Sequence, residues 1–230
     1  LPRFREKVQT IYIDPPFNTG KDFDYVDNFQ DSTWLTLMQD RLKVAKELLN
    51  TSGSLFLHLD YKSNYYGRFL LNEIFGENNF VNEIIWNYKG TTNSNRFFAR
   101  KHDTIFFYAK TVDSYIFNAD DVRIPYEDNE KFEIDDKDGR YFKWWKKGQK
   151  YFPAQKFENG KWVLLGKYQY DVWDDIPSMA TAHGNEDFRF ETQKKEKLLE
   201  RIIRVSSYEK DIVLDFFLGS GTTTAVAHKL

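Results

Sequence analysis

The sequence predicts an α/β protein built on a mostly parallel sheet, and three observations carry that expectation. Short apolar runs suited to strands alternate with longer stretches of helical periodicity over residues 8–108. One such run, Val8–Ile13, stops at a proline pair in Asp14, Pro15, Pro16, Phe17. Another, in the segment DIVLDFF at residues 211–217, runs into a glycine turn.

Taken in order, Val8–Ile13 reads as a strand. From Asp31 to Asn50 the spacing turns helical, with Trp34, Leu37, Met38, Leu42, Ala45, Leu48 and Leu49 on one face and Asp31 or Ser32 as cap. Gly53 ends that connection, and Ser54–Leu59 is a buried strand. Ser63–Phe75 is a helix stopped by Gly76, and Val81–Tyr88 and Thr104–Tyr108 are further strands. Residues 113–187 are rich in charge, glycine and aromatics without a clear period, and read as an inserted module between a first half, 1–112, and a second, 188–230. Thr192 is a suitable N-cap for the helix that resumes the regular pattern, with Leu198, Leu199, Ile202 and Ile203 inward.

Composition bounds the function classes. At 230 residues the chain is long enough for a real core, as one large domain or a domain with an insert. With no cysteine it holds neither disulfides nor a thiolate metal site, which fits a cytoplasmic protein. A net charge of −2 means that any nucleic-acid surface must be a local patch. No apolar stretch approaches the roughly 20 residues of a membrane span, and the N-terminal LPRFREK lacks the apolar region of a signal peptide. The expectation is a soluble protein that does not enter a membrane.

Two motifs carry chemistry. In the first, the prolines fix φ and remove two N–H donors, so the Asp14 carboxylate and the Pro15 carbonyl become rigid acceptors beside the flat face of Phe17. That set suits an exocyclic amino group on an aromatic base. The same residues also read as a proline-stiffened turn. In the second, Asp215 to Thr223 (DFFLGSGTT), glycines after a strand let backbone approach a ligand, and the helix that follows presents free N–H groups. The Gly-Lys-Ser/Thr of a phosphate loop and the third glycine of a dinucleotide site are both missing. An adenosine-type cofactor without phosphates is favoured, and a purely structural turn stays open.

Further signals are weaker. Between Arg140 and Lys167 six lysines, Lys143, Lys146 and Lys147 among them, interleave with aromatics, and only Glu158 opposes them. This suits a DNA backbone and unstacked bases, and equally a solvated face over a small aromatic core. The acidic stretch Asp120–Asp138 implies that only one side of the module faces a duplex. His58 and Asp60 share a strand face, but the other histidines, at 102, 183 and 228, are scattered, so no metal site is expected and His58 is read as structural or cleft-lining. His102 and Asp103 are read as a turn before the next strand, and Ser54 and Ser220 have no hydrolase partners.

DPPF near the start, TQK at 192–194 and DFFLGSGTT near the end together resemble an amino-methylating DNA methyltransferase, and their order resembles the β group of adenine-N6 enzymes. DPPFNTG, LFLHLD, KHDTIFFYAKT, FETQKKEKLLERII and DIVLDFFLGSGTT are most similar to the modification subunits of type III restriction systems, over roughly residues 8–111 and 188–230. The resemblance implies a Rossmann-like, S-adenosylmethionine-dependent sheet with residues 113–187 as target-recognition insert. It implies double-stranded DNA as substrate, and leaves room for a second methyltransferase subunit and a restriction subunit as partners. By position, Asp14, Pro15, Pro16 and Phe17 take the catalytic roles. Phe217, Gly219 and Gly221 match the family's F-x-G-x-G, and Thr192, Lys194, Asp215 and Thr222, with Asp14, border the cofactor pocket. Arg140, Lys143, Lys146 and Lys147 are the expected DNA contacts.

The chain departs from the family at Phe17, where tyrosine is commoner, and at Lys195, where a proline usually follows TQK. Asp before the two prolines favours adenine over cytosine N4 by the same resemblance. In the family a further strand follows the glycine-turn helix and ends in an acidic residue for the cofactor ribose; the sequence ends at Leu230. It therefore reads as a piece of a longer protein, lacking two strands of the expected sheet. The other function class left open is a catalytically silent piece that binds DNA or a partner subunit.

Overall fold

The computed structural model describes residues 2–17, 31–88, 90, 95–179 and 192–230. Asn18, Thr19 and Gly20 after the proline pair, Phe190 and Glu191 before Thr192, and His183 lie outside the described residues. In chain order the elements are β1 (Val8–Ile13), α1 (Asp31–Leu48), β2 (Leu49–Leu59), α2 (Asn64–Phe75), β3 (Phe80–Asn87) and β4 (His102–Ala109). There follow β5 (Glu133–Ile134), β6 (Tyr141–Trp144), β7 (Lys150–Tyr151), β8 (Gln155–Glu158) and β9 (Lys161–Leu164). Last come β10 (Val172–Trp173), α3 (Glu196–Ser206), β11 (Ile212–Leu214) and α4 (Thr222–Lys229).

The chain divides into two compact units. Leu1–Phe117 with Asp171–Leu230 forms one, and Asn118–Tyr170 the other. The first is organised by a six-stranded sheet in the order β10-β3-β4-β2-β1-β11. β1 runs parallel to β2 and β11, and β3 to β10, while β4 is antiparallel to both of its neighbours. The sheet is thus mostly parallel, as the alternation of elements predicts, with β4 alone reversed. The reversal follows from the connection: no crossover helix lies between β3 and β4 among the described residues, so β4 returns beside β3 as a hairpin does.

Side chains alternate across each strand, so each face of the sheet needs its own cover. Ile11, Ile13, Leu55, Leu57 and Phe106 pack with Trp34, Met38 and Leu42 of α1 and Leu70, Leu71 and Phe75 of α2. The approach of α2 is close: a Cβ on Gly67 would collide with Leu59 Cδ1. Thr10, Tyr12, Phe56 and His58 point the other way, where α3 packs against β1 and β2 with Leu198, Leu199 and Ile202 buried. Thr10 Oγ1 and Ser206 Oγ, 2.8 Å apart, join that helix to β1.

Three expectations change. Gly53 does not end a connection; α1 leads directly into β2 at Leu49, and Gly53 lies inside that strand. A Cβ there would come within 3.0 Å of the Val8 and Gln9 carbonyl oxygens, where the β1–β2 register shifts. Thr192 is not a helix cap. The N-cap of α3 is Lys195, still extended at φ −65° and ψ 137°, because the segment before it is drawn toward Asp14 by Lys194. Finally, β10 pairs with β3 and Ile176 is fully buried, so Val172, Trp173 and Ile176 belong with the main sheet, and the separate unit, Asn118–Tyr170, is narrower than 113–187.

The second unit holds a three-stranded sheet, β5-β6-β7, and the hairpin β8-β9. No helix among the described residues is long and apolar enough to cross a membrane.

Candidate active site

β1 delivers the proline motif to the carboxyl end of the sheet, where ligands bind in doubly wound folds. Two carbonyls of the turn are pinned from behind. Trp34 Nε1–H donates to Pro16 O at 2.7 Å, and Ser63 Oγ–H donates to Phe17 O at 2.7 Å. Among the described residues the Pro15 carbonyl has no such partner.

Asp14 is divided between two environments. Its Oδ2 is ion-paired with Lys194 Nζ, whose side chain is 12% exposed against 15% for Asp14. Its Oδ1 is buried and has no hydrogen-bond partner among the described residues. An unmet buried acceptor costs about 1–3 kcal/mol, which a ligand N–H would recover. Lys194 Nζ also lies 3.3 Å from Thr192 O and 5.5 Å from the centre of the Phe17 ring. One ammonium therefore joins TQK to the proline motif across 180 residues of sequence.

The glycine turn arrives beside it because β11 pairs with β1, Leu214 opposite Ile11. Asp215 Oδ1 accepts the Phe217 amide at 2.9 Å, and Oδ2 accepts Thr223 Oγ1–H at 2.6 Å. Burial raises the Asp215 pKa and the Asp14 charge adds to this, against the lowering effects of Thr223, Phe217 and Lys194. Asp14, Lys194 and Asp215 thus form one electrostatic cluster. Gly219 and Gly221 hold φ of 54° and 85°, the left-handed region that favours glycine. A Cβ on Gly221 would meet nothing within 4 Å, so the backbone there borders open space at the start of α4. Thr222 is buried, with Oγ1 3.0 Å from Ser220 Oγ, and Phe217 packs on the core with the Arg41 guanidinium 5.7 Å from its ring.

Behind Phe17 lies a network that the sequence does not announce. His58 is fully buried, with Nδ1 2.8 Å from Tyr12 Oη and Nε2 3.2 Å from Asp103 Oδ2. In the tautomer that donates from Nε2 to Asp103, the ring accepts the Tyr12 hydroxyl at Nδ1. Burial, then Asp14, Asp215 and Asp103, raise the Tyr12 pKa well above the usual range, so this hydroxyl stays protonated. The His58 ring lies 6.0 Å from that of Phe17 and meets Trp86 edge-on at 5.5 Å. Asp103 belongs to β4, not to a turn. Asp60 does not join His58 as a ligand pair; it accepts the amides of Lys62 and Ser63. Among the described residues no group of three or more histidines and acids gathers as a metal site. The one early signal was a histidine in an otherwise apolar strand.

In the second unit the acidic stretch does not stand apart from the basic one. Arg140 pairs with Asp138 at 2.7 Å, Lys143 with Glu130 at 3.7 Å, and Lys150 with Asp135 at 2.9 Å. Among the described residues Lys146 and Lys147 have no acidic partner and sit exposed on a short 3-10 turn next to Trp144 and Trp145.

A proline-acid turn and a glycine turn at the ends of adjacent parallel strands define a Rossmann-like methyltransferase fold. The chain belongs to the N6/N4 DNA methylase family, whose model, described as DNA methylase, matches residues 8–230. It is 31% identical over 98% of its length to the type II methyltransferase M1.MboII of Moraxella bovis, covering 82% of that protein. It is 28% identical over 99% of its length to the "Probable type III restriction-modification enzyme HindVI Mod subunit" of Haemophilus influenzae, of which it spans 45%. Solved structures share the fold. PvuII DNA methyltransferase (cytosine-N4-specific) has a TM-score of 0.64 at 16% identity, covering 98% of this chain and 72% of that one. The M1.HpyAVI-SAM complex has a TM-score of 0.56 at 22% identity, covering 97% and 78%.

Proposed function

We propose that the chain transfers a methyl group from S-adenosylmethionine to adenine N6 in double-stranded DNA, as the modification component of a restriction-modification system. The divided Asp14 carboxylate carries this reading: one oxygen is anchored by Lys194, and the other is buried with no donor among the described residues, as is the case for the carbonyl of Pro15, the next residue in the chain. Two neighbouring acceptors match the two hydrogens of an exocyclic amine.

The residues fit the cofactor: Asp215 shares one electrostatic cluster with Asp14 and Lys194, and on the turn that Asp215 opens, the backbone at Gly221 borders open space at the start of α4. Thr192, Lys194, Asp215, Phe217, Gly219, Gly221 and Thr222, with Asp14, would hold it. Bound there, S-adenosylmethionine supplies an electrophilic methyl group on a sulfonium. The N6 lone pair of adenine is delocalised into the ring. Asp14 and the Pro15 carbonyl favour a more tetrahedral, nucleophilic nitrogen by accepting its two hydrogens, and they stabilise the positive charge that develops on it. Pro15 and Pro16 keep both acceptors fixed before the base arrives, while Trp34 and Ser63 hold the turn from behind. Phe17 stacks on the extruded base and offsets part of the cost of taking it out of the duplex. The unit Asn118–Tyr170 contributes phosphate contacts through Arg140, Lys143, Lys146 and Lys147, of which the last two pair with no acid among the described residues.

Cytosine N4 is the second reading, because PvuII DNA methyltransferase, named cytosine-N4-specific, shares the fold. The test incubates the protein with unmethylated plasmid DNA and labelled S-adenosylmethionine, then digests the DNA to nucleosides. N6-methyldeoxyadenosine is expected. N4-methyldeoxycytidine would move the target to cytosine, and DNA binding without any methylated nucleoside would leave a silent binding module.

A further inference from the structure

The connection between β3 and β4 carries the most exposed large apolar side chain among the described residues. Phe98 is 99% exposed and Phe97 59% exposed. From residue 88 to 102 the sequence holds four cations, Lys89, Arg96, Arg100 and Lys101, and no acid. The described part of this loop is tied to the rim of the cleft. Arg100 donates to Tyr61 Oη at 2.9 Å and stacks on that ring at 4.4 Å, with Phe97 at 5.4 Å on its other contacts. Tyr61 in turn lines a cavity of about 440 Å³ together with Phe17 and Trp34. At the loop's base, a Cβ on Gly90 would lie 3.3 Å from Lys101 Nζ, so that lysine runs along the glycine and closes the hairpin.

A base that leaves a duplex breaks its stacking and leaves a gap, and proteins fill such gaps with apolar wedges flanked by arginine and lysine. We propose that Phe98 is that wedge. It enters the DNA stack at the step vacated by the target base, Lys101 contacts a flanking phosphate, and Arg100 braces the loop against Tyr61. The proposal rests on the reading of the cleft beside Phe17 as the site of an extruded base.

The test separates the wedge from the underlying reading. The site modified by the wild-type protein in plasmid DNA is located by sequencing, and two short duplexes are made, one fully paired and one with a mismatch opposite the target base. A mismatched base leaves the stack at much lower cost. Phe98→Ala, at a position too exposed to unsettle the fold, should lower kcat/KM on the paired duplex by about tenfold to a hundredfold, the scale of one lost aromatic–base stack. On the mismatched duplex the loss should stay within about threefold, and Phe98→Trp should retain activity on both. Equal losses on the two duplexes, or no loss on either, overturn the wedge while leaving the methyl transfer intact. Failure of the wild-type protein to methylate either duplex overturns the reading beneath it, and the wedge with it.

Discussion

Replacing Asp14 by alanine removes two things at once, and the structure allows their effects to be weighed. On the proposed mechanism the catalytic loss is one transition-state acceptor, expected to cost about a hundredfold to a thousandfold in turnover, or about 2.7–4 kcal/mol. The effect on folding is smaller because two terms oppose. Deleting the carboxylate strands the Lys194 ammonium, which keeps the Thr192 carbonyl and some contact with water. It also removes the buried, unmet Oδ1, whose burial costs about 1–3 kcal/mol. The net change should lie within about 2 kcal/mol, a shift of roughly 4–8 °C in Tm at most for a chain of this size. Tritiated methyl transfer and thermal melting, measured on the same samples, check both figures. The double variant Asp14→Ala with Lys194→Met should recover the wild-type melting temperature and remain inactive. Turnover near wild-type in Asp14→Ala, or activity that returns in the double variant along with stability, would refute the role given to this carboxylate.

Three further outcomes are expected. Tyr12→Phe leaves His58 Nδ1 buried without a donor, at a cost of about 1–3 kcal/mol, so the melting temperature should fall although no cavity opens. Neutralising Lys146 and Lys147 together should flatten the salt dependence of DNA binding by up to about two phosphate contacts, whereas Arg140→Gln alone should change it less because that guanidinium is already paired with Asp138. Burial works to raise the Asp175 pKa, but Arg201 and Lys197 outweigh it and hold the group down at about 2. A carboxylate depressed on folding adds stability above its unfolded pKa that disappears as pH falls through the folded one. The stability difference between wild type and Asp175→Asn should therefore be full above about pH 5 and vanish by about pH 1, as followed by acid unfolding; a difference that persists at pH 1 would contradict the ion pairs.

Much of this fold is legible because its signals are local. The apolar run of β1, the fixed φ of Pro15 and Pro16, and the left-handed glycines at 219 and 221 each need only their neighbours in sequence to be read. The parts that were not legible depend on distant partners. Thr192 has the chemistry of a cap, yet the tie from Lys194 to Asp14 keeps the chain extended until Lys195. Gly53 resembles a connection glycine, but its position answers to the backbone of Val8 and Gln9 across the sheet. Nothing near His58 in sequence names Tyr12 or Asp103, because adjacent strands bring the three together. The reversal of β4 likewise turns on a connection whose direction periodicity does not encode.

The central claim is that the second oxygen of Asp14 stands ready for an exocyclic amine. Its most direct measurement is a crystal structure of the protein with a non-transferring cofactor analogue and duplex DNA containing the modified site. The account predicts the N6 amino group of an extruded adenine at hydrogen-bond distance, roughly 2.7–3.2 Å, from Asp14 Oδ1 and from the Pro15 carbonyl, with Lys194 still on Oδ2. A base that remains stacked in the duplex, or an extruded base whose amine meets neither acceptor, would contradict it.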